Sequence, residues 1–364
     1  MLSWARLPVV ISARFGNSSG LERMGCVTDC CFGPKDRFSS MSKPLRRWNV
    51  LLSFMALLAM AQPVAGQERT AQPFSQDSLR SAADYLKGLN GHAMLVYHRD
   101  ELIFEEYFNG WSADKPHQLA SGTKSFSGAM LAAAVEDGLL EVDEKVAETI
   151  VEWKDHPRKS QVTIRHLLSL TSGIYGGSTR EPAPSYARAV VIANARFWPG
   201  VRFQYGPIPY QIFGELMRRK LMEKGESVEA YMKRRILDAI GLKPARWAKD
   251  EDGNILLPRG AIMTAREWAK FGLLVLHQGR WQDRQVIPAK VLQECFVGTN
   301  ANPHYGLTFW LEKLGRAPKD LVMARGRGMQ ILYIVPSLEL VVVQFADTER
   351  FNQSEFLGRL LVSK

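Results

Sequence analysis

A serine and a lysine three positions apart open the stretch with the clearest chemical potential, A-S-G-T-K-S-F-S-G-A-M-L at residues 120–131. Residues i and i+3 lie on one face of a helix, so the Lys124 amine can reach the Ser121 hydroxyl. A serine in the first helical turn lies among unpaired N–H donors, and its own N–H can face a developing oxyanion. The helix dipole and burial both lower the pKa of an amine, which enables a neutral lysine to accept the serine proton. The other interpretation is a serine N-cap followed by a solvated lysine.

The S-x-x-K spacing alone does not decide between these interpretations, because it occurs at Ser40/Lys43, Ser112/Lys115 and Ser121/Lys124. The first pair lies near the N-terminus, and the second lies in a predicted loop with no helix after it. Only the third pair is followed by apolar residues at helical spacing, which end at Asp137-Gly138. A G-x-S-x-G match at residues 16–20, G-N-S-S-G, is rejected as a nucleophile because no amphipathic helix follows it.

A segment ahead of this stretch has the composition of an export signal. Basic residues precede an apolar run at residues 50–61, and small residues follow at plausible cleavage points after Ala61 or Gly66. The run is shorter than the roughly 20 apolar residues that a membrane-spanning helix needs. We predict a signal peptide at residues 41–66, with an uncleaved N-terminal anchor as the alternative.

A signal in this position divides the chain into three parts. We interpret residues 1–40 as a non-structural extension, or as a mis-assigned start of the sequence if Met41 is the true initiator. Residues 67–364 become the exported domain, periplasmic or secreted, and Cys295 is the one cysteine in it, so no internal disulfide is expected. Part of the formal net charge of +10 belongs to residues 1–66, and the remaining excess is spread out, which argues against nucleic-acid binding.

Strand patterns occupy both ends of the predicted domain, and helical patterns occupy its middle. A helix at residues 75–89 precedes A-M-L-V-Y-H and L-I-F-E-E-Y-F, two β-rich runs that R-D-E joins as a hairpin. The later strands are Y-G-L-T-F-W-L-E, I-L-Y-I-V and L-E-L-V-V-V-Q-F, and a helix at about residues 352–362 ends the chain. Thr264 and Glu267 predict a capping box at the start of another helix. We expect an α/β fold of the α+β type, in which one antiparallel sheet combines N- and C-terminal strands around a helical insertion at about residues 125–300.

Four segments after Ser121 give the sequence a resemblance to a known family. They are V-T-I-R-H-L-L-S-L-T-S-G-I (162–174), P-G-V-R-F-Q-Y-G (199–206), G-A-I-M-T-A-R-E-W-A-K-F-G-L-L (260–274) and Y-G-L-T-F-W. In this order they resemble the serine hydrolases that include class C β-lactamases, D-alanyl-D-alanine carboxypeptidases, carboxylesterases and 6-aminohexanoate-dimer hydrolases. The resemblance covers residues 80–350 and implies a β-lactamase/transpeptidase-like fold.

The resemblance also implies roles for particular residues. Ser121 would be the acylated nucleophile, Lys124 its general base, and Tyr205 the phenol that passes a proton to the leaving group. A phenol with a pKa of about 10 can do this only where nearby cations such as Lys124 stabilise its anion. A core tyrosine hydrogen-bonded to backbone is the alternative. The backbone N–H groups of Ser121 and Arg327 would form the oxyanion hole, and no metal or other cofactor is implied.

Two positions depart from the pattern of the penicillin-recognising members. Pro207 stands two residues after Tyr205, where those members have an asparagine that binds the substrate amide. Ala324-Arg325-Gly326 stands at an edge-strand element that begins in those members with a lysine or a histidine. Arg325 and Arg327 replace that charge in one interpretation and are solvated edge-strand residues in the other. The glycines of the element would let a substrate approach the backbone.

These departures favour a small-molecule ester or linear amide as the substrate, hydrolysed through an acyl-enzyme, and the resemblance is strongest to the 6-aminohexanoate-dimer-hydrolase-like members. A D-Ala-D-Ala carboxypeptidase, a β-lactamase and a catalytically silent binding module of the same fold are the alternatives. The residues predicted to bind substrate are Pro207, Ala324, Arg325, Gly326 and Trp111.

The remaining motifs are weaker. Trp198 and Trp310 are further candidates for the cleft, although aromatic residues pack in cores by default. Seven scattered histidines without paired spacing predict no metal site, and we interpret His166 as a structural helix residue. No membrane span is expected to remain after signal cleavage, and the sequence leaves the oligomeric state open.

Overall fold

Strands from the early and the late part of the described residues pair in one antiparallel sheet. The structure is a computed structural model that describes residues 74–311 and 317–361. The strands of this part are β1 (Gly91–His98), β2 (Glu101–Tyr107), β3 (His117–Gln118), β4 (Arg246–Trp247), β5 (Ala261–Met263), β6 (Arg280–Trp281), β7 (Arg284–Gln285), β8 (Trp310–Leu311), β9 (Val322–Gly326), β10 (Gln330–Val335) and β11 (Leu340–Ala346). The main sheet has the order β2-β1-β11-β10-β9-β8, so the first strand pairs directly with the last. The short strands form a β3-β5-β4 sheet and a β6-β7 hairpin.

Helices fill most of the chain between β3 and β8. The α-helices are α1 (Gln76–Gly88), α2 (Ser125–Glu136), α3 (Val146–Thr149), α4 (Ile164–Leu168), α5 (Tyr186–Ile192), α6 (Ile208–Met222), α7 (Val228–Met232), α8 (Ala265–Leu276), α9 (Ala289–Glu294) and α10 (Gln353–Leu360). Tighter 3₁₀ turns lie at Ala120–Lys124, Val151–Trp153, Lys159–Gln161, Asp238–Ile240 and Pro336–Leu338, and a π-helical turn lies at Lys233–Leu237.

Both faces of the main sheet are covered, which explains the near-continuous apolar sequences of β1, β10 and β11. Met94 and Val96 of β1 belong to the apolar cluster that contains residues of α1 and α10, whereas Leu95 belongs to the cluster that contains residues of α2 and α8. Helix α8 lies especially close to the sheet. An added Cβ at Gly272 would lie 2.6 Å from Val341, so the glycine is needed for this packing.

The hairpin and the helix starts follow from local sequence. Arg99 and Asp100 between β1 and β2 both have positive φ, 50° and 64°, as a two-residue turn that matches the strand twist requires. Ser75 caps α1 by accepting from the Ser78 N–H, and Thr264 caps α8 by accepting from the Glu267 N–H. The Glu267 carboxylate accepts from the Lys243 N–H.

The predicted mixed fold, with a sheet from both chain ends and helices between them, is confirmed. The prediction of a long strand at Y-G-L-T-F-W-L-E was wrong in extent, because of its described residues only Trp310 and Leu311 pair with β9. Tyr305, Leu307 and Phe309 are buried among helices, and a buried apolar run of this length does not by itself distinguish strand from other core segments.

The predictions for residues 1–40 and for the signal at residues 41–66 lie outside the described residues, and they stay predictions together with the domain boundary. No helix among the described residues has the length and apolarity to span a membrane.

Candidate active site

A tight turn holds the serine and the lysine together. The backbone at Ala120–Lys124 is a 3₁₀ helix that leads into α2, and side chains three apart in a 3₁₀ helix are eclipsed. Lys124 Nζ therefore lies 3.0 Å from Ser121 Oγ. Ala120, directly before the serine, has a φ of 47°, a left-handed conformation that costs a non-glycine residue of order 1 kcal/mol. The N–H of Leu119 donates to the Ala261 carbonyl and so fixes this turn to β5.

The lysine amine is held away from solvent. Lys124 is 3% exposed, and its Nζ also donates to the Pro258 carbonyl oxygen at 2.9 Å. The amine lies 4.9 Å from the ring centroid of Tyr205 and 5.3 Å from that of Tyr210. Burial, and to a smaller extent the charge of Arg259, lowers the pKa of Lys124 to about 7. A substantial fraction of the amine is therefore neutral near pH 7, with a lone pair available to the serine hydroxyl.

Tyr205 completes a triad of polar side chains with Ser121 and Lys124. The centroid of its ring lies 4.9 Å from the Lys124 amine and 5.6 Å from the centroid of the Trp310 ring, and its side chain is partly buried. Burial raises the pKa of Tyr205 above its usual value, and the contacts with Ser121, Arg325 and Trp310 only partly oppose this. The phenol is thus protonated at neutral pH and can give a proton to a leaving group, whereas the amine of Lys124 is the group that can act as a base.

The loop that carries Tyr205 is locked by backbone contacts to the preceding T-S-G motif. The Gln204 N–H donates to the Leu170 carbonyl at 2.8 Å, and the Gly200 N–H donates to that of Thr171 at 2.7 Å. An added Cβ at Gly206 would lie 2.0 Å from the Gly176 carbonyl oxygen. The contacts between the T-S-G segment and the Tyr205 loop therefore fix the position and the direction of the Tyr205 side chain.

His166 has the structural role that the sequence indicated. Its ring Nδ1 accepts from the Thr163 N–H at 3.2 Å, and the Thr163 hydroxyl accepts from the His166 N–H, so the pair caps α4. The histidine holds the start of the helix that leads into the T-S-G motif.

The open edge of β9 lies beside the serine. Strand β8 pairs only with Val322 and Met323, so within the described part of the chain no strand covers the outer edge of β9 at residues 324–326. At Gly326 an added Cβ would lie 2.1 Å from the Leu119 carbonyl oxygen, which explains why the chain has glycine at this position. Arg327 follows immediately, in the turn that leads into β10.

These elements surround a cavity of about 480 Å³. It is lined by Gln118, Ala120, Ser121, Thr179, Tyr205, Arg259, Trp310, Arg325, Gly326, Arg327, Gly328, Met329, Thr348 and Glu349. Of the residues singled out from the sequence, the cavity brings together Ser121, Tyr205, Arg325, Gly326, Arg327 and Trp310, with Lys124 directly beneath.

Other predicted residues lie elsewhere. Ala324 is fully buried on the core face of β9. Pro207 precedes α6 and lines a neighbouring cavity with Tyr175. Trp111 is not a cleft residue. Its ring packs against the rings of His92 and His117, with centroid distances of 4.6 and 3.8 Å. Trp198 is 52% exposed and faces Arg158.

Arg259 and Thr179 are cavity residues that the sequence analysis did not identify. Arg259 follows the proline whose carbonyl accepts from Lys124, in the segment that leads into β5. The P-R-G tripeptide there carries no local signal of function, although its position just before the G-A-I-M-T motif could have drawn attention to it. Within the described ranges, no three His, Cys, Asp or Glu side chains are grouped so that they could hold a metal ion.

Comparison with known proteins agrees with this architecture. The model of the family described as Beta-lactamase matches residues 79–363. A putative β-lactamase from Bacteroides dorei superposes with a TM-score of 0.65 at 20% identity, over 80% of this chain and 96% of that one. A putative 6-aminohexanoate-dimer hydrolase from Bacillus anthracis gives 0.63 at 21% identity, over 75% and 78%. EstCE1, described as a hydrolase with promiscuous acyltransferase activity, gives 0.64 at 12% identity, over 80% and 98%.

Proposed function

The chain belongs to the Beta-lactamase family of serine hydrolases, and from this we propose that it cleaves a carboxylic ester or a linear amide through an acyl-enzyme on Ser121. The observation that carries the proposal is the pairing of the serine with a buried amine. Lys124 Nζ is 3.0 Å from the hydroxyl oxygen and has a pKa of about 7, so it can accept the serine proton at physiological pH. A solvated lysine would stay protonated and could not do so.

Acylation then proceeds by three proton transfers. The Ser121 oxygen attacks the substrate carbonyl carbon while its proton passes to Lys124, and the carbonyl oxygen becomes an oxyanion. The N–H groups of Ser121 and Arg327 donate to this oxygen, because β9 ends beside the serine. The leaving oxygen or nitrogen takes a proton from the Tyr205 hydroxyl, and the protonated lysine returns a proton to the phenolate.

Deacylation uses the same groups in reverse. A water molecule attacks the acyl carbon and gives its proton to the Lys124–Tyr205 pair. The serine oxygen leaves and regains a proton, and the acid product departs. The phenol is therefore anionic only transiently, which suits a tyrosine whose pKa burial raises.

The shape of the site supports the choice of an ester or a linear amide. The side chain of Pro207 offers no amide and borders the neighbouring cavity. Ala324 is apolar and buried, so the first position of the edge-strand element supplies no cation. The superposed solved structures include proteins described as a 6-aminohexanoate-dimer hydrolase and as a hydrolase with acyltransferase activity. We also propose that residues 41–66 direct the domain to the periplasm or the outside of the cell.

A short 4-nitrophenyl ester tests the reaction class. We expect a burst of nitrophenol equal to the enzyme concentration, an intact mass raised by one acyl group, and the loss of both in Ser121→Ala. Ser112→Ala is the matched control, because it removes the serine of another S-x-x-K and lies outside the cavity.

Other outcomes would redirect the assignment. Covalent labelling by a fluorescent penicillin, with Ser121 as the labelled residue, would favour a carboxypeptidase or a β-lactamase. No turnover of esters, amides or β-lactams, together with no labelling by a fluorophosphonate, would favour a catalytically silent binding module.

A further inference from the structure

Exposed apolar side chains are concentrated in one segment between β3 and β8. Of the nine large apolar side chains that are exposed among the described residues, five lie between residues 175 and 201. These five are Tyr175, Val191, Ile192, Trp198 and Val201. Single exposed apolar residues are ordinary on protein surfaces, whereas a contiguous group of them marks a surface that meets a partner.

A tight turn places two of these side chains next to each other. The Val201 N–H donates to the Trp198 carbonyl oxygen at 3.4 Å across the intervening proline and glycine, and Gly200 has a φ of 83°. These are the features of a β-turn whose two ends approach each other, with glycine at the position that needs a positive φ. Trp198 is 52% exposed and Val201 is 62% exposed, so the turn presents an indole and an isopropyl group to solvent.

The pairing of two backbone segments adds the other three. Hydrogen bonds join residues 173–175 to residues 194–197, so Tyr175 lies beside the segment that leads to the turn. Ile192, the last residue of α5, lines one cavity together with Tyr175, and Val191 directly precedes it. The five side chains therefore belong to one stretch of surface.

Three arginines lie among these apolar residues, and each stacks on an aromatic ring. The distances from guanidinium carbon to ring centroid are 4.2 Å for Arg196 over Tyr175, 5.8 Å for Arg158 over Trp198 and 4.7 Å for Arg202 over Phe197. A guanidinium in this position keeps its charge while its apolar stem covers the ring. Among the described residues none of the three forms an ion pair, whereas Arg165 binds both Asp143 and Glu294. We call the five apolar residues and these three arginines the basic apolar surface.

The charge of this part of the chain is mostly of one sign. Residues 171–206 contain four arginines and a single acidic residue, Glu181. Apolar side chains flanked by uncompensated arginines suit a partner that is apolar inside and negatively charged at its surface. A bilayer of anionic phospholipid has both properties, because tryptophan and tyrosine rings lie favourably at the level of the headgroups and arginines are attracted to the anionic lipid. An acidic protein surface would supply the negative charge without the apolar layer beneath it.

We infer that the basic apolar surface binds an anionic phospholipid membrane, with Trp198 and Val201 inserted at the level of the headgroups and the arginines against the phosphates. The surface adjoins the segment that carries the catalytic phenol. Gly176, next to Tyr175, packs so closely on the Tyr205 backbone that an added Cβ would lie 2.7 Å from the Tyr205 carbonyl oxygen. A bound membrane would therefore lie on the Tyr205 side of the active site. The inference goes beyond the proposed hydrolysis and does not depend on it.

Vesicle binding by the full chain tests this inference. Flotation measures the affinity for vesicles of phosphatidylcholine and for vesicles in which one third of the lipid is phosphatidylglycerol. We expect tighter binding to the anionic vesicles, and we expect added salt to reduce the difference. The double variant Arg196→Gln/Arg202→Gln should lower the affinity for anionic vesicles roughly 25-fold, or about fivefold per charge. Trp198→Ala/Val201→Ser should lower that affinity roughly 10-fold, because less apolar surface leaves water.

Matched variants outside the surface are the controls. Val297→Ser removes a valine that is 63% exposed, and Arg284→Gln removes an exposed arginine of β7, so both should keep the wild-type affinity. The apolar run at residues 50–61 is present in every variant, so differences between variants carry the test and not binding as such. Brominated phosphatidylcholine in the anionic vesicles gives a second measurement. It should quench the tryptophan fluorescence of the wild type more than that of Trp198→Phe, a variant that keeps an aromatic ring.

Equal affinity of the surface variants, the controls and the wild type for anionic vesicles would overturn the membrane surface, and so would equal quenching of the wild type and Trp198→Phe. Salt-sensitive binding to soluble polyglutamate without vesicle binding would overturn it in favour of an acidic protein partner. A dimer that Trp198→Ala/Val201→Ser dissociates, with no effect of these changes on vesicle binding, would assign the surface to a second copy of the chain.

Vesicle binding and hydrolysis can fail separately. Ser121→Ala protein should bind anionic vesicles as the wild type does. Surface-dependent vesicle binding without turnover of any ester would sink the hydrolase assignment alone. Turnover that depends on Ser121, with no effect of the surface variants on vesicle binding, would sink the membrane surface alone.

Discussion

Replacing the buried amine with a methionine side chain, Lys124→Met, is expected to abolish acylation and at the same time make the fold more stable at neutral pH. The pKa of Lys124 falls from 10.5 to about 7 because burial disfavours its charged form. A shift of that size corresponds to about 5 kcal/mol between the two protonation states. Methionine is similar in length, carries no charge, and packs well against the aromatic rings that flank the site, Tyr205 and Tyr210.

The sign and the pH window follow from proton binding. In the unfolded chain the amine keeps its proton up to about pH 10.5, whereas in the folded chain it loses the proton near pH 7. Between these values the unfolded state binds more protons, so the free energy of unfolding rises with pH. The lysine destabilises the fold by about 4 kcal/mol at pH 7 and by about 2 kcal/mol at pH 9. Below pH 7 the penalty approaches its full size, and above pH 10.5 it vanishes.

Methionine also leaves the Pro258 carbonyl without its donor, which costs about 1–3 kcal/mol at every pH. The net advantage of Lys124→Met at pH 7 is therefore about 1–3 kcal/mol. The decisive quantity is the change in that advantage, which should shrink by about 2 kcal/mol from pH 7 to pH 9 because the hydrogen-bond loss cancels.

Urea unfolding followed by tryptophan fluorescence at pH 7, 8 and 9 measures this difference. The control is Lys154→Met, at an exposed lysine, where the stability difference from wild type should not change with pH. An advantage of Lys124→Met that stayed constant across this range, or grew with pH, would refute the argument that the amine is uncharged because it is buried.

Three further substitutions probe the rest of the site. Tyr205→Phe should lower kcat for an anilide by roughly 10²–10⁴-fold, because the leaving group of an anilide needs a proton. The kcat for a 4-nitrophenyl ester should fall much less. Equal losses of kcat for the two substrates would contradict the role of Tyr205 in protonating the leaving group. Arg259→Gln removes a positive charge that lowers the pKa of Lys124, so the midpoint of the kcat/KM–pH profile should move to higher pH. A move of the midpoint to lower pH would contradict this effect of the Arg259 charge. Gly326→Ala places a Cβ 2.1 Å from the carbonyl oxygen of Leu119, and we expect it to lower the free energy of unfolding by about 1–3 kcal/mol and to lower kcat. The control is Gly88→Ala, where no atom lies within 4 Å of the added Cβ. Equal behaviour of the two alanine variants would show that the close approach at Gly326 is not needed.

Much of the fold was predictable because its signals are local. The hairpin at R-D-E, the N-cap of α8 and the apolar strands at both ends each depend on residues within one element. The Ser121–Lys124 pair was also accessible, since spacing of three along a helix fixes which side chains meet. The tighter 3₁₀ turn at Ala120–Lys124 only brings them closer.

The cavity walls were harder to predict because they come from loops that meet only in three dimensions. Arg259 reaches the site from a short segment before β5, and no periodicity marks it. Trp111 and Pro207 were predicted as site residues for different reasons. Trp111 was chosen for its aromatic type, and Pro207 for its position two residues after Tyr205. Backbone packing decides where both point, and neither lines the cavity.

The pairing of β1 with β11 sets a limit on when the domain can form. Gly91 is opposite Ala346 and His98 is opposite Leu340, so β1 pairs with a strand that is synthesised long after it. Until those residues leave the ribosome, β1 presents an unpaired apolar edge, the kind of surface that invites aggregation. Contacts of such sequence separation also slow folding, because the loop must close before they form. Completion of the sheet therefore has to follow synthesis of the last strand, and a chain truncated before Leu340 loses an interior strand and not a peripheral one.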